Sequence, residues 1–421
     1  MRSVSKITST VFGTAILTAA LTLPSVEFAY GEAAPERGIV SFKYLNYQDS
    51  QSVGKVTQSG TTQSGDGHET HNDHLIISDV ISGASTVGSS TGGSSQDRIA
   101  INAYSIMAMT PIAGEWSLGL TYTSDSVSGA SPAYHSAGLT TMSDLRRAVD
   151  AQLTRYFSRG TLSVGVSNSS ESDYISRSYS LQGSLSTEDK NTTFTVGGSL
   201  TDDSINPNNR KVVDEKKKVN AGLIGVTRIL STNDIVQLNL GYSQGNGYYT
   251  DPYKSIDNRP RDRNNTTVLT RWNHHFDETD GTTHVSYRYY SDTFGIRAHT
   301  LGVEYVQPLR NGWAVTPLLR LYTQTQAEFY VAVGAAEKAD PTVATQPPVS
   351  ALYYTEDQRM SAFGAITMGL KVSKQLNPDW LIDLKYETYE QRGDWCLSGK
   401  GDSGLADFSA RSIQVGVSRQ F

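Results

Sequence analysis

From about residue 38 to the C-terminus the chain alternates apolar and polar residues with a period of two. Trp116, Leu118, Leu120 and Tyr122 interleave with Ser117, Gly119, Thr121 and Thr123. Val236, Leu238, Leu240 and Tyr242 do the same, as do Val285, Tyr287 and Tyr289, and Trp380, Ile382, Leu384 and Tyr386. One apolar and one polar face per segment is the pattern of a half-buried strand. No helical period of comparable length competes with it. The alternation predicts strands at 38–48, 97–109, 116–126, 144–157, 160–169, 174–186, 192–201, 218–230, 234–244, 265–276, 282–291, 296–308, 312–325, 358–375, 379–392 and 408–421. Most match the roughly 9–11 residues a tilted strand needs to cross a bilayer.

The connections alternate too. Short turns fall at 111–115, 158–160, 186–191, 231–233, 277–281, 310–311 and 377–378. Long loops fall at 49–96, 127–143, 202–217, 245–264, 326–357 and 393–407, with brief ones near 170–173 and 292–295. With both termini on one side, every short turn lies on that side and every long loop on the other. This is the asymmetry of outer-membrane barrels, with tight periplasmic turns and longer extracellular loops. Trp116, Trp313 and Trp380 begin strands just after short turns, Phe157 and Phe276 end strands just before them, and Phe421 ends the chain. Such a level of aromatics is an interfacial girdle. The predicted fold is all-β, a transmembrane antiparallel barrel of the bacterial outer membrane with about sixteen strands. A secreted propeller or sandwich would explain the alternation but not the turn asymmetry or the girdle.

Composition alone points elsewhere, and the pattern corrects it. The 421 residues carry 36 Lys+Arg against 42 Asp+Glu, a formal net charge of -6, and only 37% are apolar. Mean hydropathy is -0.38. A bundle of membrane helices is excluded, but a barrel shows lipid only alternate residues of each strand, so low hydropathy is what it requires. The lone Cys396 excludes a disulfide framework and a cysteine-built zinc site. Mild acidity argues against a nucleic-acid partner. Arg2 and Lys6, an apolar run from about Val11 to Leu23, and Ala29-Tyr30-Gly31 predict a signal peptide over 1–31. Its removal takes Arg2, Lys6 and Glu27, a net +1, and leaves about -7. The remainder, 32–421, reads as one barrel domain.

Several stretches resemble a family of proteobacterial outer-membrane barrels known as domain of unknown function 3570. They are Asp125–Ser136, Met142–Asp150, Thr154–Gly160, Asp251–Arg263, Arg271–Phe276, Tyr287–Leu301, Asp357–Leu376, Asp383–Trp395 and the ending IQVGVSRQF. The stretches 49–96 and 326–357 show no match. The resemblance implies an outer-membrane barrel and no activity. It also implies envelope redox partners, since relatives are often encoded beside a flavin-transferase and a thioredoxin-like protein. The terminal strand, with Ile413, Val415, Val417, Arg419 and Phe421 on one face, looks like the signal read by the barrel-assembly machinery. Arg419 departs from the usual apolar run, and its guanidinium is expected to snorkel to the interface.

Turning the apolar face outward places Asp150, Arg228, Arg271, Arg288, Glu304, Arg320, Lys371, Asp383, Lys385 and Glu387 in the lumen, with Gln237, Asn239, Asn273, His275, His284 and Gln324. Charge is tolerated there because it faces water or other charge, whereas arginine facing lipid at mid-membrane costs about 2–4 kcal/mol. The turn at 277–281 sets Arg271 opposite Arg288 within a residue or two. Opposed guanidiniums repel unless an anion or carboxylate intervenes. Glu304 on the next strand is the expected internal partner, and an anion-selecting patch is the alternative. In the first long loop His68, His71 and His74, with Glu69 and Asp73, form a donor set suited to a transition metal. No other cofactor is expected.

Lys254, Arg259, Arg261 and Arg263, interleaved with Asp251, Asp257 and Asp262, suit either lipopolysaccharide phosphates or salt bridges across the barrel mouth. Outer-membrane lipids are the expected surroundings. No strand-to-helix turn carries a nucleophile elbow, the Gly88–Gly92 spacing falling in a Gly/Ser-rich loop, and no phosphate loop occurs, so the chain is not expected to be an enzyme. Three functions follow in order: a porin-like conduit, a plugged barrel serving as a binding or assembly scaffold, and an outer-membrane enzyme.

Overall fold

The computed structural model describes residues 34–52, 95–130, 141–339, 343–397, 399 and 401–421. The predicted signal peptide, His68, His71, His74 and most of the 49–96 loop lie outside the described residues.

Sixteen strands close into one antiparallel barrel. In chain order they are β1 (Ile39–Ser52), β2 (Ser95–Ile112), β3 (Trp116–Ala130), β4 (Thr141–Phe157), β5 (Gly160–Ser170), β6 (Tyr174–Ser186), β7 (Thr192–Ile205), β8 (Glu215–Ile229) and β9 (Asp234–Gly247). They continue as β11 (Asp262–Phe276), β12 (Gly281–Asp292), β13 (Arg297–Pro308), β14 (Trp313–Gln324), β16 (Phe363–Asn377), β17 (Trp380–Arg392) and β18 (Phe408–Gln420). Two-residue strands β10 (Asp257–Asn258) and β15 (Tyr354–Thr355) pair with each other outside the barrel sheet. Each barrel strand pairs with its neighbours in sequence, and β1 meets β18 to close the ring. At that seam Gly38 N–H donates to Phe421 O and Phe421 N–H donates back to Gly38 O, at 2.9 and 3.0 Å. Closure leaves no strand edge, which hydrocarbon would not tolerate because it offers unpaired N–H and C=O groups no partner.

Alternation decides which side chains face out. Phe42, Ile106, Leu120, Val149, Val164, Leu181, Val196, Ile224, Leu240, Leu319, Met368, Leu384 and Val415 are all exposed, and together they form an apolar belt around the barrel. Such exposure would be a liability in water and is the membrane-facing surface of a barrel. The girdle residues Phe157, Phe276, Trp313, Trp380 and Phe421 are exposed at the short-turn rim, with Trp116 half-buried at the same level. Cations sit over these rings: Arg155 over Trp116 and Phe157, Lys374 over Trp313, and Arg419 over Trp380. Arg419 therefore has a fixed partner, paired directly across from Trp380 in register. Trp272 joins this outer layer, its indole N–H donating to Asp234 at 2.9 Å.

At the long-loop rim the strands outrun the sequence pattern. Residues 202–205, 215–217, 245–247 and 262–264 are strand rather than loop. In contrast β16 begins at Phe363, because Gln358–Met360 form a 3-10 turn capped by the Asp357 carboxylate, which accepts from Arg359 N–H. At the opposite rim the β2–β3 turn holds Ala113 at φ 52° and Gly114 at φ 73°, the left-handed region that a two-way reversal needs.

The interior is not uniformly polar. On the inward faces of β18, β1 and β2, Leu45, Tyr47, Ile99, Ile101, Ala103, Phe408 and Ala410 form a buried apolar cluster. In β1 both faces are therefore covered, one by lipid-facing surroundings and one by this packing.

Candidate functional site in the lumen and at its mouth

Register fixes the inner wall row by row. Arg271 of β11 lies opposite Ser286 of β12, Ser286 opposite Gly302 of β13, and Gly302 opposite Arg320 of β14. Arg288 lies one inward position nearer the long-loop rim, between Leu269 and Thr300. One inward position the other way, His284 lies between Asn273 and Glu304. These positions alternate with Tyr287, Leu301, Leu319 and Leu321, which are exposed on the outside, so the three arginines point inward.

Arg271 and Arg288 are nevertheless exposed, and Arg320 partly so. An inward side chain that is exposed must border open space inside the barrel. Arg288 makes one hydrogen bond among the described residues, to Thr300 Oγ1 at 3.4 Å. Among the described residues none of the three arginines pairs with a carboxylate. The internal network expected with Glu304 does not form, because Glu304 occupies the next row, beside His284 and Leu318.

Across β16–β17 a second cluster is tighter. Lys371 faces Lys385, Glu387 faces Gly369, and Asp383 lies between Ser373 and Gly416. Lys385 pairs with Glu387 at 2.9 Å, and Asp383 and Lys385 are buried. Gly416 matters here: a Cβ would fall 2.2 Å from Asp383 Oδ2, so any larger residue would push the carboxylate aside. Arg228 corrects the sequence reading. It shares its face with exposed Ile224 and pairs with Val236, so it points outward near the short-turn rim, where an interface can hold its charge.

The opposite wall has another character. Below the long-loop rim, the inward residues of β5, β6 and β7 are Ser, Thr, Gly and Gln. Their hydroxyls pair across strands, as in Thr161–Ser184 at 2.7 Å and Ser178–Thr201 at 3.0 Å. Short side chains leave a cavity of about 510 Å³ between β2 and β6, bordered by Thr121, Asp150, Thr154, Ser167 and Ser178. The lumen thus has a charged wall and a hydroxyl wall.

Above the charged wall, two long loops lock together over the mouth. β10 and β15 zip the loop after β9 to the loop after β14. Arg259 donates to Asp257 and, at 2.7 Å, to Asp357, while Arg359 donates to Asp357 and, at 2.9 Å, to Asp251. Inward-facing Gln324 donates to Arg359 O and Ser361 O, which ties this cap to the inner side of β14. Beneath it Phe294, Ile296, Ala327, Tyr330 and Met360 form an apolar core. Burial opposes charge on Asp357, but Arg359 and Arg259 outweigh it and hold its carboxyl well below the usual range. Burial raises Asp257, with Arg259 only partly offsetting it.

Glu356, between two fully buried neighbours, is pushed up to about 7, chiefly by burial. Arg261 pairs with Glu215 and Arg263 with Asp292. The arginines of this loop thus pair within the barrel's own mouth, and among the described residues Lys254 forms no direct ion pair with a carboxylate. Cys396 is half-buried beside the cap, its thiol donating to Gln324 O.

One group has no signature in the sequence pattern. Asp144, Glu171 and Asp173 bring one carboxylate oxygen each within 4.8 Å of one another at the long-loop rim. Burial, with Asp144 and Asp173 adding to it, raises Glu171 to about 8, so at neutral pH the trio is stabilised by a retained proton.

A family model described as "Protein of unknown function (DUF3570)" matches residues 13–214 and 208–412, and so also spans 49–96 and 326–357. No curated protein matches the sequence. Among solved structures, a bacterial polysaccharide outer membrane secretin aligns over 90% of this chain and 98% of its own, with 8% identity and a TM-score of 0.45. A Pseudomonas aeruginosa FadL homologue aligns over 91% and 90%, with 10% identity and a TM-score of 0.41. A BenF-like porin from Pseudomonas fluorescens Pf-5 aligns over 91% and 99%, with 10% identity and a TM-score of 0.41. The likeness lies in the barrel.

Proposed function

The chain belongs to the family described as Protein of unknown function (DUF3570), and from that premise we propose that it is a porin-like conduit for small solutes or ions across the outer membrane of a Gram-negative cell. Arg271 and Arg288, exposed on the inner wall without an ion pair among the described residues, carry this reading. Charged side chains stay ionised inside a membrane only where water reaches them. The belt contacts lipids and lipopolysaccharide, and the terminal strand ending at Phe421 is what the barrel-assembly machinery reads after export through the periplasm. No catalytic group is needed.

Planar-bilayer recording with purified protein tests the proposal. A stepwise, anion-favouring current is expected, and silence in both polarities defeats the conduit. The locked loops favour a second reading, a closed scaffold that holds a metal or an envelope redox partner. On that reading His68→Ala/His71→Ala/His74→Ala weakens binding of a titrated transition metal, and an unchanged titration removes the histidines.

A further inference from the structure

The inner wall between β11 and β14 gathers three arginines on adjacent strands. Arg271 and Arg320 share one register row, three strand spacings and so about 14 Å apart at Cα. Only Ser286 and Gly302 stand between them. Gly302 brings no side chain and Ser286 Oγ lies across it, 2.8 Å from where a Cβ would stand, so the wall is low between two long basic side chains. Arg288 rises from the adjoining strand, one inward position or about 7 Å toward the mouth. All three side chains therefore project into the lumen from one stretch of four adjacent strands.

Like charges so placed repel, and proteins normally set a carboxylate between them. Here no described carboxylate pairs with any of them, although Glu304 is only one row away. Gln237, abreast of Arg271 on β9, adds an amide. A guanidinium forks onto two oxygens of one carboxylate or phosphate, and three forks ask for more than one anionic group.

We propose that Arg271, Arg288 and Arg320 form a binding site, open to the lumen, for small organic anions bearing two or more phosphate or carboxylate groups. The inference rests on the conduit reading and narrows it from a general bias toward anions to a saturable site. The cap stands over this wall on the long-loop side, so the ligand meets the site from the open lumen beneath.

The test uses the full protein in a planar bilayer with potassium chloride as carrier, EDTA present, and inorganic pyrophosphate as probe against acetate. Pyrophosphate is expected to block the chloride current saturably, while acetate at equal ionic strength does not. Arg271→Gln and Arg320→Gln should each raise the half-blocking concentration about tenfold, the loss of one charge-assisted contact. Arg320→Lys, which keeps the charge and loses the fork, should fall between. Unheated gel mobility checks that each variant is a folded barrel, and calorimetric titration of pyrophosphate runs in parallel. A current that pyrophosphate blocks no better than acetate, or equally in wild type and variants, overturns the site and leaves the conduit standing. Calorimetric binding lost in the variants, with no current from any protein, upholds the site and overturns the conduit. Neither current nor binding overturns both.

Discussion

At Asp357 burial and charge oppose one another, and two guanidiniums decide the outcome. Its carboxylate serves Arg359 and Arg259 at once and caps the 3-10 turn as well. Asp357→Asn leaves two buried cations with too little countercharge. Breaking a buried pair from one side costs about 3–5 kcal/mol, and here the cost falls on the cap. Hydrogen exchange at Val331 and Thr355, whose N–H groups donate to Thr355 O and Phe329 O, should accelerate accordingly, while strand amides stay protected. Equal acceleration everywhere would mean that the network supports the barrel itself.

Single residues also show where sequence reading stops. The inward placement of Arg271, Arg288 and Arg320 followed from counting by twos from their apolar neighbours. Whether Glu304 would neutralise them did not, because that depends on register across two further strands. Arg228 defeats the same count because β8 carries apolar residues on both faces, Val219, Leu223 and Ile229 on one and Ile224 and Val226 on the other, so alternation does not label its outward side.

The strands were legible where lipid touches them and nowhere else. All sixteen follow from alternation, which the membrane imposes on every crossing. Their extensions at 202–205 and 215–217 carry Asp202, Asp203, Lys216 and Lys217. Above the membrane both faces are polar, as these four residues are, so no period of two betrays a strand. The cap was hidden for a different reason: Arg259 and Asp357 stand 98 residues apart and meet only in three dimensions. Cap stability should depend on pH through Glu356. Its folded carboxyl titrates near 7 against an ordinary 4.5, so the closed cap binds the proton more tightly than open loops do. Cap protection should be greatest below about 4.5 and fall as pH rises through about 7. The groups facing Glu356 from the packed loops are Lys254, Asp257 and Glu337. After correction for intrinsic exchange, Glu356→Gln should remove this slope, and a slope that persists would assign it to another group.

For the whole molecule, closure into a barrel was readable from an even strand count and a one-sided distribution of short turns. The division of the lumen into a charged wall and a hydroxyl wall emerges only when all rows are read together. Reversal potentials in a salt gradient measure its consequence. Wild type should favour chloride over potassium, and replacing Arg271, Arg288 and Arg320 together by Gln should shift the potential toward cations. No shift would place the selecting charges elsewhere.

The cap also carries a consequence for folding order. Its halves hang from β9 and β14, and its countercharges can meet only after β11–β14 have assembled side by side. Contacts that bridge so much chain form after the local hairpins that bring them close. The locked mouth is therefore a late event, a latch that engages once the wall beneath it is built, and an intermediate halted before that wall is complete would show its buried arginines and aspartates to solvent.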